Sequence, residues 1–396
     1  MTKSFHPPKR LLMGPGPSEV DPRVLAAMSR PTIGHLDPAF VGMMDEIKAM
    51  LQNTLRTRNA LTLPVSAPGS AGMETCFVNL VEPGDRVIVC VNGVFGGRMK
   101  ENIVRSGGEP IVVEDTWGKP VDPDKLEDAL KANPGVRLVA FVQAETSTGV
   151  ESDTRTLVEI AHRHGSLVIV DTVTALGGTP VLTDEWGIDA VYAGTQKCLS
   201  CPPGLAPVSF SEAALERIRE RRHPVQSWFL DLNLVMGYWG EGAKRSYHHT
   251  APINALYGLH EALVMLEEEG LENAWARHRR HHEALRAGLE AMRLELPVAP
   301  TERLPQLNAV AVPGDVDEAA TRRMLLEHHG IEIGAGLGPL AGKVWRIGLM
   351  GQTANARNVR ELLAAMEHTL ALQGHRLVRG AALEAAEAYY ASTGEA

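Results

Sequence analysis

Short apolar runs alternate with amphipathic stretches along the first two-thirds of the chain. Arg86–Val91, Pro110–Val113, Arg137–Val142, Leu167–Val170, Ala190–Ala193 and Ala206–Phe210 read as strands. Between them, Ala71–Asn79, Gly96–Arg105, Pro123–Ala132 and Thr154–His164 carry helical periodicity. This alternation predicts an α/β domain with a mostly parallel sheet, whose ligands bind at the carboxyl ends of strands. Upstream, residues 18–55 are helical in pattern with a break near Gly34-His35-Leu36-Asp37-Pro38, and an irregular arm ends in Gly14-Pro15-Gly16-Pro17. Downstream, a long helical pattern over Pro252–Glu269 leaves the large domain. From about residue 270 the pattern is α+β, with helices Glu272–Met292, Asp317–His329 and Ala356–Leu372 and strands Asn308–Val312 and Val344–Leu349. The expected division is an arm (1–17), a large domain (18–265) and a small domain (266–396) with an Ala/Glu-rich, peripheral helical tail from Gly374.

Composition narrows the class. The chain has 396 residues, 44% hydrophobic and 22% charged, enough for a sizeable core and unlike a disordered chain. A net charge of −9 without a long basic run argues against nucleic acid as a partner. No apolar stretch has bilayer-spanning length, and Met1–His6 lacks a signal-peptide core, so a soluble, cytoplasmic protein is expected. Cys198 and Cys201 have the spacing of a zinc half-site, yet no second Cys or His pair follows, and they read as small packing residues. The adjacent His248 and His249 point opposite ways on an extended segment, which does not suit one metal.

Two residues carry the candidate chemistry. Asp171 closes the apolar run Leu167-Val168-Ile169-Val170, and Lys197 follows Ala193-Gly194-Thr195-Gln196. Each ends a strand-like segment, so both can face one cleft. A lysine amine and a carboxylate are what pyridoxal phosphate (PLP) requires: the amine forms a Schiff base with its aldehyde, and the acid holds its pyridine nitrogen protonated. A desolvated lysine also has the lowered pKa that suits imine formation and proton transfer. Taken singly, Asp171 is equally a helix cap and Lys197 a surface residue. Ala67-Pro68-Gly69-Ser70-Ala71-Gly72-Met73-Glu74 reads as a glycine-rich turn opening a helix, suited to a phosphate or else an ordinary capped start. Phe95 could stack on a flat ring or simply be core, Val173 could pack on a ring face, and Thr146 could bond a phenolic oxygen. Tyr247 and Thr250 offer hydroxyls, and Arg346, set among apolar neighbours, needs an anionic partner such as a carboxylate.

In that order the motifs resemble the class V, fold-type I PLP aminotransferases, in particular the alanine–glyoxylate and serine–glyoxylate (serine–pyruvate) group. The matching pieces are Gly14-Pro15-Gly16-Pro17, Gly69-Ser70-Ala71-Gly72, Asn92-Gly93-Val94-Phe95-Gly96, Glu145-Thr146-Ser147-Thr148-Gly149, Val170-Asp171-Thr172-Val173, Gly194-Thr195-Gln196-Lys197, Tyr247-His248-His249-Thr250 and Arg346-Ile347-Gly348. The resemblance implies a seven-stranded, mostly parallel sheet between helices. It makes Lys197 the Schiff-base lysine and proton carrier, and Asp171 the partner of the pyridinium nitrogen. Phe95 and Val173 would contact the ring and Thr146 its oxygen. Gly69, Ser70, Ala71 and Gln196 would hold the phosphate, joined by Tyr247 and Thr250 from a neighbouring subunit of a homodimer. Arg346 would bind the substrate carboxylate, and backbone near Gly16 would close the site. Pro68 departs from the pattern, standing where many relatives have a Ser or Thr that bonds the phosphate.

The implied reaction is ping-pong transamination: a small amino acid, alanine or serine, leaves its amino group on the cofactor as pyridoxamine phosphate, and glyoxylate collects it. Aspartate, ureidoglycine or 2-aminoethylphosphonate as donors remain open. A cysteine desulfurase-type lyase needs a later nucleophilic cysteine, and none follows Cys201. A dinucleotide-binding protein needs a G-x-G-x-x-G spacing that Gly69-Ser70-Ala71-Gly72 lacks. A silent PLP-binding scaffold is disfavoured by the joint presence of Lys197, Asp171 and Arg346.

Overall fold

The computed structural model describes residues 2–240 and 245–394. At its centre lie β1 (Leu61–Val65), β2 (Arg86–Val91), β3 (Glu109–Glu114), β4 (Leu138–Val142), β5 (Leu167–Asp171), β6 (Ala190–Tyr192) and β7 (Ala206–Phe210). They form a seven-stranded sheet in the order β1-β7-β6-β5-β4-β2-β3. Pairing from β2 to β6 is parallel, and β7 runs antiparallel to both its neighbours. Strands covered by helices on both faces must be apolar throughout, and β4, Leu138-Val139-Ala140-Phe141-Val142, is buried at every position. Each large side chain buried there contributes about 1.5–3 kcal/mol.

The six strands read from the sequence all form, within a residue or two of their expected bounds. β1 is the strand the pattern missed. Its Pro64 argues against a central strand, and the structure places β1 at the sheet edge, with Pro64 opposite Pro207 of β7. Helices α1 (Gly69–Leu80), α2 (Val94–Arg105), α3 (Pro123–Ala132) and α4 (Thr154–Arg163) accompany the strands. Asp-Pro steps start α3 and the two upstream helices Pro22–Met28 and Pro38–Leu55. The carboxylates of Asp21, Asp37 and Asp122 accept from backbone amides at 2.8, 2.8 and 2.9 Å, and proline has no N–H to leave orphaned.

Two further helices, α5 (Ile253–Glu269) and α6 (Leu271–Ala291), are parted by Gly270, whose φ of +83° suits glycine. Beyond them β8 (Leu307–Ala311), β9 (Gly334–Ala335) and β10 (Val344–Gly348) make an antiparallel sheet in the order β8-β10-β9. Helices α7 (Glu318–His329), α8 (Ala356–Leu372) and α9 (Ala381–Ser392) complete this region. The apolar side chains fall into two clusters. One surrounds the large sheet and reaches Ala274 on α6; the other takes in Ala284 further along α6, Trp345 and Met366. The tail helix α9 joins the second cluster through Ala382 and Ala386, both fully buried.

The arm ties the two clusters together. Leu11–Leu12 pairs in parallel with Ile331–Glu332, Met13 lies in the second cluster, and the Ser18 hydroxyl donates to the Lys197 carbonyl at 2.7 Å. Among the described residues, no helix is long and apolar enough to cross a membrane.

Candidate active site

Asp171 ends β5 at the carboxyl edge of the sheet and is 2% exposed. Its Oδ1 accepts from the Val173 amide and its Oδ2 from the Tyr192 hydroxyl, both at 2.8 Å. Burial pushes its pKa up to about 7; the two hydrogen bonds and Lys197 oppose that shift, and buried Glu145 adds to it. Lys197 lies beyond the end of β6. Its Nζ donates to the Pro15 carbonyl, and burial, aided by Arg346 and Arg98, pulls its pKa down to about 8. Gly16 (φ +102°) leaves the room this lysine needs: a Cβ there would stand 2.7 Å from its Cδ.

Of the other predicted residues, Val173 contacts Asp171 directly. Pro68 caps α1 without a side-chain bond, so the capped-start reading fails and no side chain holds the Gly69 and Ser70 amides, while the Ala71 amide donates to the Pro68 carbonyl at 2.7 Å. Gly69 packs beside Val173 and Gly194. The Gln196 Oε1 is buried without a partner. Phe95 sits in the first turn of α2 with the Arg98 guanidinium 4.9 Å from its ring centre. Thr146 is buried, its hydroxyl 2.5 Å from that of Thr174.

Arg346 on β10 reaches across from the second cluster. Its Nε donates to the Ala335 carbonyl at 2.7 Å and its Nη1 to the Thr146 carbonyl at 3.3 Å. Burial lowers its pKa, with the charge of Glu145 opposing. Tyr247 is 63% exposed, its ring against His35 at 5.2 Å, and Thr250 is exposed as well. Neighbouring His249 bonds Ser66 Oγ at 2.7 Å. Cys198 and Cys201 are buried free thiols pushed up to about 12 by burial, in keeping with packing residues. Among the described residues no group of three or more His, Cys, Asp or Glu side chains could hold a metal.

Two residues that sequence reasoning passed over are central. Tyr192 on β6 is fully buried against Asp171. Glu145, also fully buried, accepts from the Phe95 amide at 3.1 Å, the Ser147 amide at 3.0 Å and the Ser147 hydroxyl at 2.6 Å. It thereby locks the loop carrying Thr146 to the helix turn carrying Phe95. A signal existed in Glu145-Thr146-Ser147, but an acid after a strand is common.

The arrangement fits PLP part by part. An uncapped helix start and an orphaned Gln196 oxygen suit a phosphate group, through its oxygens and a protonated oxygen or bridging water respectively. A buried carboxylate with fixed oxygens suits a ring N–H, and a desolvated lysine suits an aldehyde. The aminotransferase class-V family model matches residues 12–349. The (S)-ureidoglycine–glyoxylate transaminase of Bacillus subtilis (strain 168) is 39% identical over 98% of this chain and 97% of its own. Alanine–glyoxylate aminotransferase from Oryctolagus cuniculus is 40% identical, covering 93% and 95% of the two chains. The crystal structure of alanine–glyoxylate aminotransferase from Nostoc sp. superposes with a TM-score of 0.91 at 44% identity, over 93% of this chain and 97% of that one.

Proposed function

We infer the substrates and the residue roles from one premise: the chain belongs to the class V aminotransferase family, whose members depend on PLP. The proposed reaction moves an amino group from alanine or serine to glyoxylate. The observation that carries the roles is the buried pair Asp171 and Lys197 at one sheet edge, with Arg346 close enough to depress the lysine.

Bound PLP supplies an aldehyde for amines and a ring that accepts electrons from the substrate α-carbon. The chain does the rest. Asp171 keeps a proton on the ring nitrogen. Lys197, with a pKa near 8, is neutral often enough at neutral pH to take the α-proton and return it. Arg346, whose acceptors are two backbone carbonyls, grips the substrate carboxylate through its remaining N–H groups. Gly69, Ser70, Ala71 and Gln196 hold the phosphate, Phe95 and Val173 the ring faces, and Thr146 the ring oxygen. The arm at Pro15 and Gly16 covers the lysine and excludes water.

We place Tyr247 and Thr250 on the phosphate of a second copy in a homodimer; their exposure in a single chain, with exposed Trp228 stacked on the intervening His248, supports this. The large and small domains divide, in this reading, near residue 265. Four buried, unpaired cysteines fit a reducing compartment, the cytoplasm. Ureidoglycine is the second reading for the donor, favoured by the Bacillus relative's name and near-complete coverage.

The test is a half-reaction screen on the yellow PLP-loaded protein. Alanine, serine, aspartate, ureidoglycine and 2-aminoethylphosphonate are added singly, without acceptor. Bleaching by alanine or serine, restored by glyoxylate, is the expected result. Bleaching by ureidoglycine alone moves the assignment to the second reading. A protein that takes up no PLP overturns both.

A further inference from the structure

We propose that Tyr192 is a positioning residue that acts through Asp171, fixing its carboxylate for the ring nitrogen of PLP. The inference rests on the PLP reading above and adds a residue to it.

Tyr192 and Asp171 are direct partners across the parallel pair β5 and β6, so their side chains leave the sheet on one face. The phenol crosses that gap and donates to Oδ2 at 2.8 Å, while the Val173 amide donates to Oδ1 at 2.8 Å. With each oxygen held from a different element, the carboxylate is held against turning about its last bond. The tyrosine backbone is clamped too, because the Thr172 amide and hydroxyl both donate to its carbonyl at 2.9 Å. A phenol at 1% exposure needs a partner, which is the purely structural account of this contact. The choice of partner argues for more: the phenol meets the carboxylate whose charge the cofactor needs.

Four titratable groups on separate elements face that carboxylate. Glu145, after β4, favours its protonated form, and Lys197, after β6, favours the ionised form. Cys76 on α1 stays a neutral thiol, because burial pushes its pKa well above the ordinary value. Burial and Asp171 together push Tyr192 well above its ordinary value as well, so it remains a proton donor throughout the range in which Asp171 titrates. Removing the phenol therefore leaves Asp171 harder to ionise.

The experiment measures PLP dissociation constants of the full-length apoprotein by fluorescence quenching, from below pH 7 to well above it. Wild type, Tyr192→Phe, Asp171→Asn and the double variant are compared, with a melting curve for each. Tyr192→Phe is expected to weaken PLP binding about tenfold near neutral pH. It should also move the pH below which binding weakens to a higher value. Asp171→Asn should leave only the pH dependence that Lys197 sets, and adding Tyr192→Phe to it should cost little more, the mark of two residues acting as one. A fluorotyrosine placed at position 192 is a stronger donor of unchanged shape and should move the dependence the other way, including when the phenylalanine variant folds poorly. An unshifted pH dependence, or losses that simply add in the double variant, overturns the proposal and leaves Tyr192 a packing residue. Wild-type apoprotein that binds no PLP overturns the cofactor reading itself.

Discussion

Helix α6 and the carboxyl edge of the large sheet both bury ionisable side chains, and they treat them differently. On α6, His278 donates from Nδ1 to the Ala274 carbonyl at 2.6 Å and accepts at Nε2 from the Gly351 amide at 2.9 Å. His281 bonds the Tyr390 hydroxyl at 2.8 Å and His282 the Asn308 side chain at 2.6 Å. Burial holds His278 and His281 neutral, with pKa values down to about 3 and 4. At the sheet edge, by contrast, Gln196 Oε1 has no partner, and Lys197 and Arg346 donate to backbone carbonyls. Buried histidines partnered within the chain serve the fold; a buried edge with spare hydrogen-bonding capacity prepares a place for something else.

The comparison breaks or holds on substitutions in the two regions. Lys197→Ala should lower turnover by at least about 10⁴-fold, because it removes both the covalent and the proton-transfer group. Its Tm should hold or rise, since the buried lysine is already disfavoured in its charged form. A large fall in Tm would make Lys197 structural. Arg346→Met should raise KM for carboxylate substrates about 10²-fold, with a smaller change in kcat. Equal KM values would remove Arg346 from substrate binding.

His278→Ala is the converse. It should cost about 2–3 kcal/mol of stability by denaturant unfolding, through a cavity and an unpaired Gly351 amide, while leaving PLP affinity unchanged. A specific loss of PLP affinity there would erase the distinction between the regions. Gln196→Ala should weaken PLP about fivefold by equilibrium dialysis and leave the apoprotein's Tm unaltered, because its Oε1 has no partner to lose.

The smallest effect is on pH dependence. His278 has a folded pKa near 3 against an ordinary 6.5, so between those values the unfolded chain takes up a proton that the folded chain refuses. Its contribution to stability is therefore lost as pH falls from 6.5 towards 3. Asp171 has the opposite sign: its folded pKa near 7 lies above the ordinary 3.8, so the apoprotein loses stability as pH rises across that interval. His278→Ala should flatten the acid limb of apoprotein stability, and Asp171→Asn the neutral limb. Unchanged curves would mean that other groups govern both.

Much of this was legible beforehand, and for local reasons. Six sheet strands and the main helices follow from periodicity, and Asp171 and Lys197 stand out because each ends a strand-like run. β1 escaped because Pro64 is a strand breaker wherever the sheet edge is not known. Tyr192 escaped because its partner is 21 residues away in the chain and adjacent only through strand register. The arm's closing role came only with the resemblance: Gly14-Pro15-Gly16-Pro17 by itself announces an irregular segment, not that its carbonyl meets a lysine 182 residues on.

Taken alone, the sequence determined the alternation of strands and helices and the residue types able to serve PLP, because those depend on neighbours a few positions apart. Which groups end up desolvated, and therefore that Asp171 rises while Lys197 falls, was decided by the tertiary structure. A pKa answers to the charges and solvent around a group, and only packing brings Glu145, Tyr192 and Arg346 to the same edge.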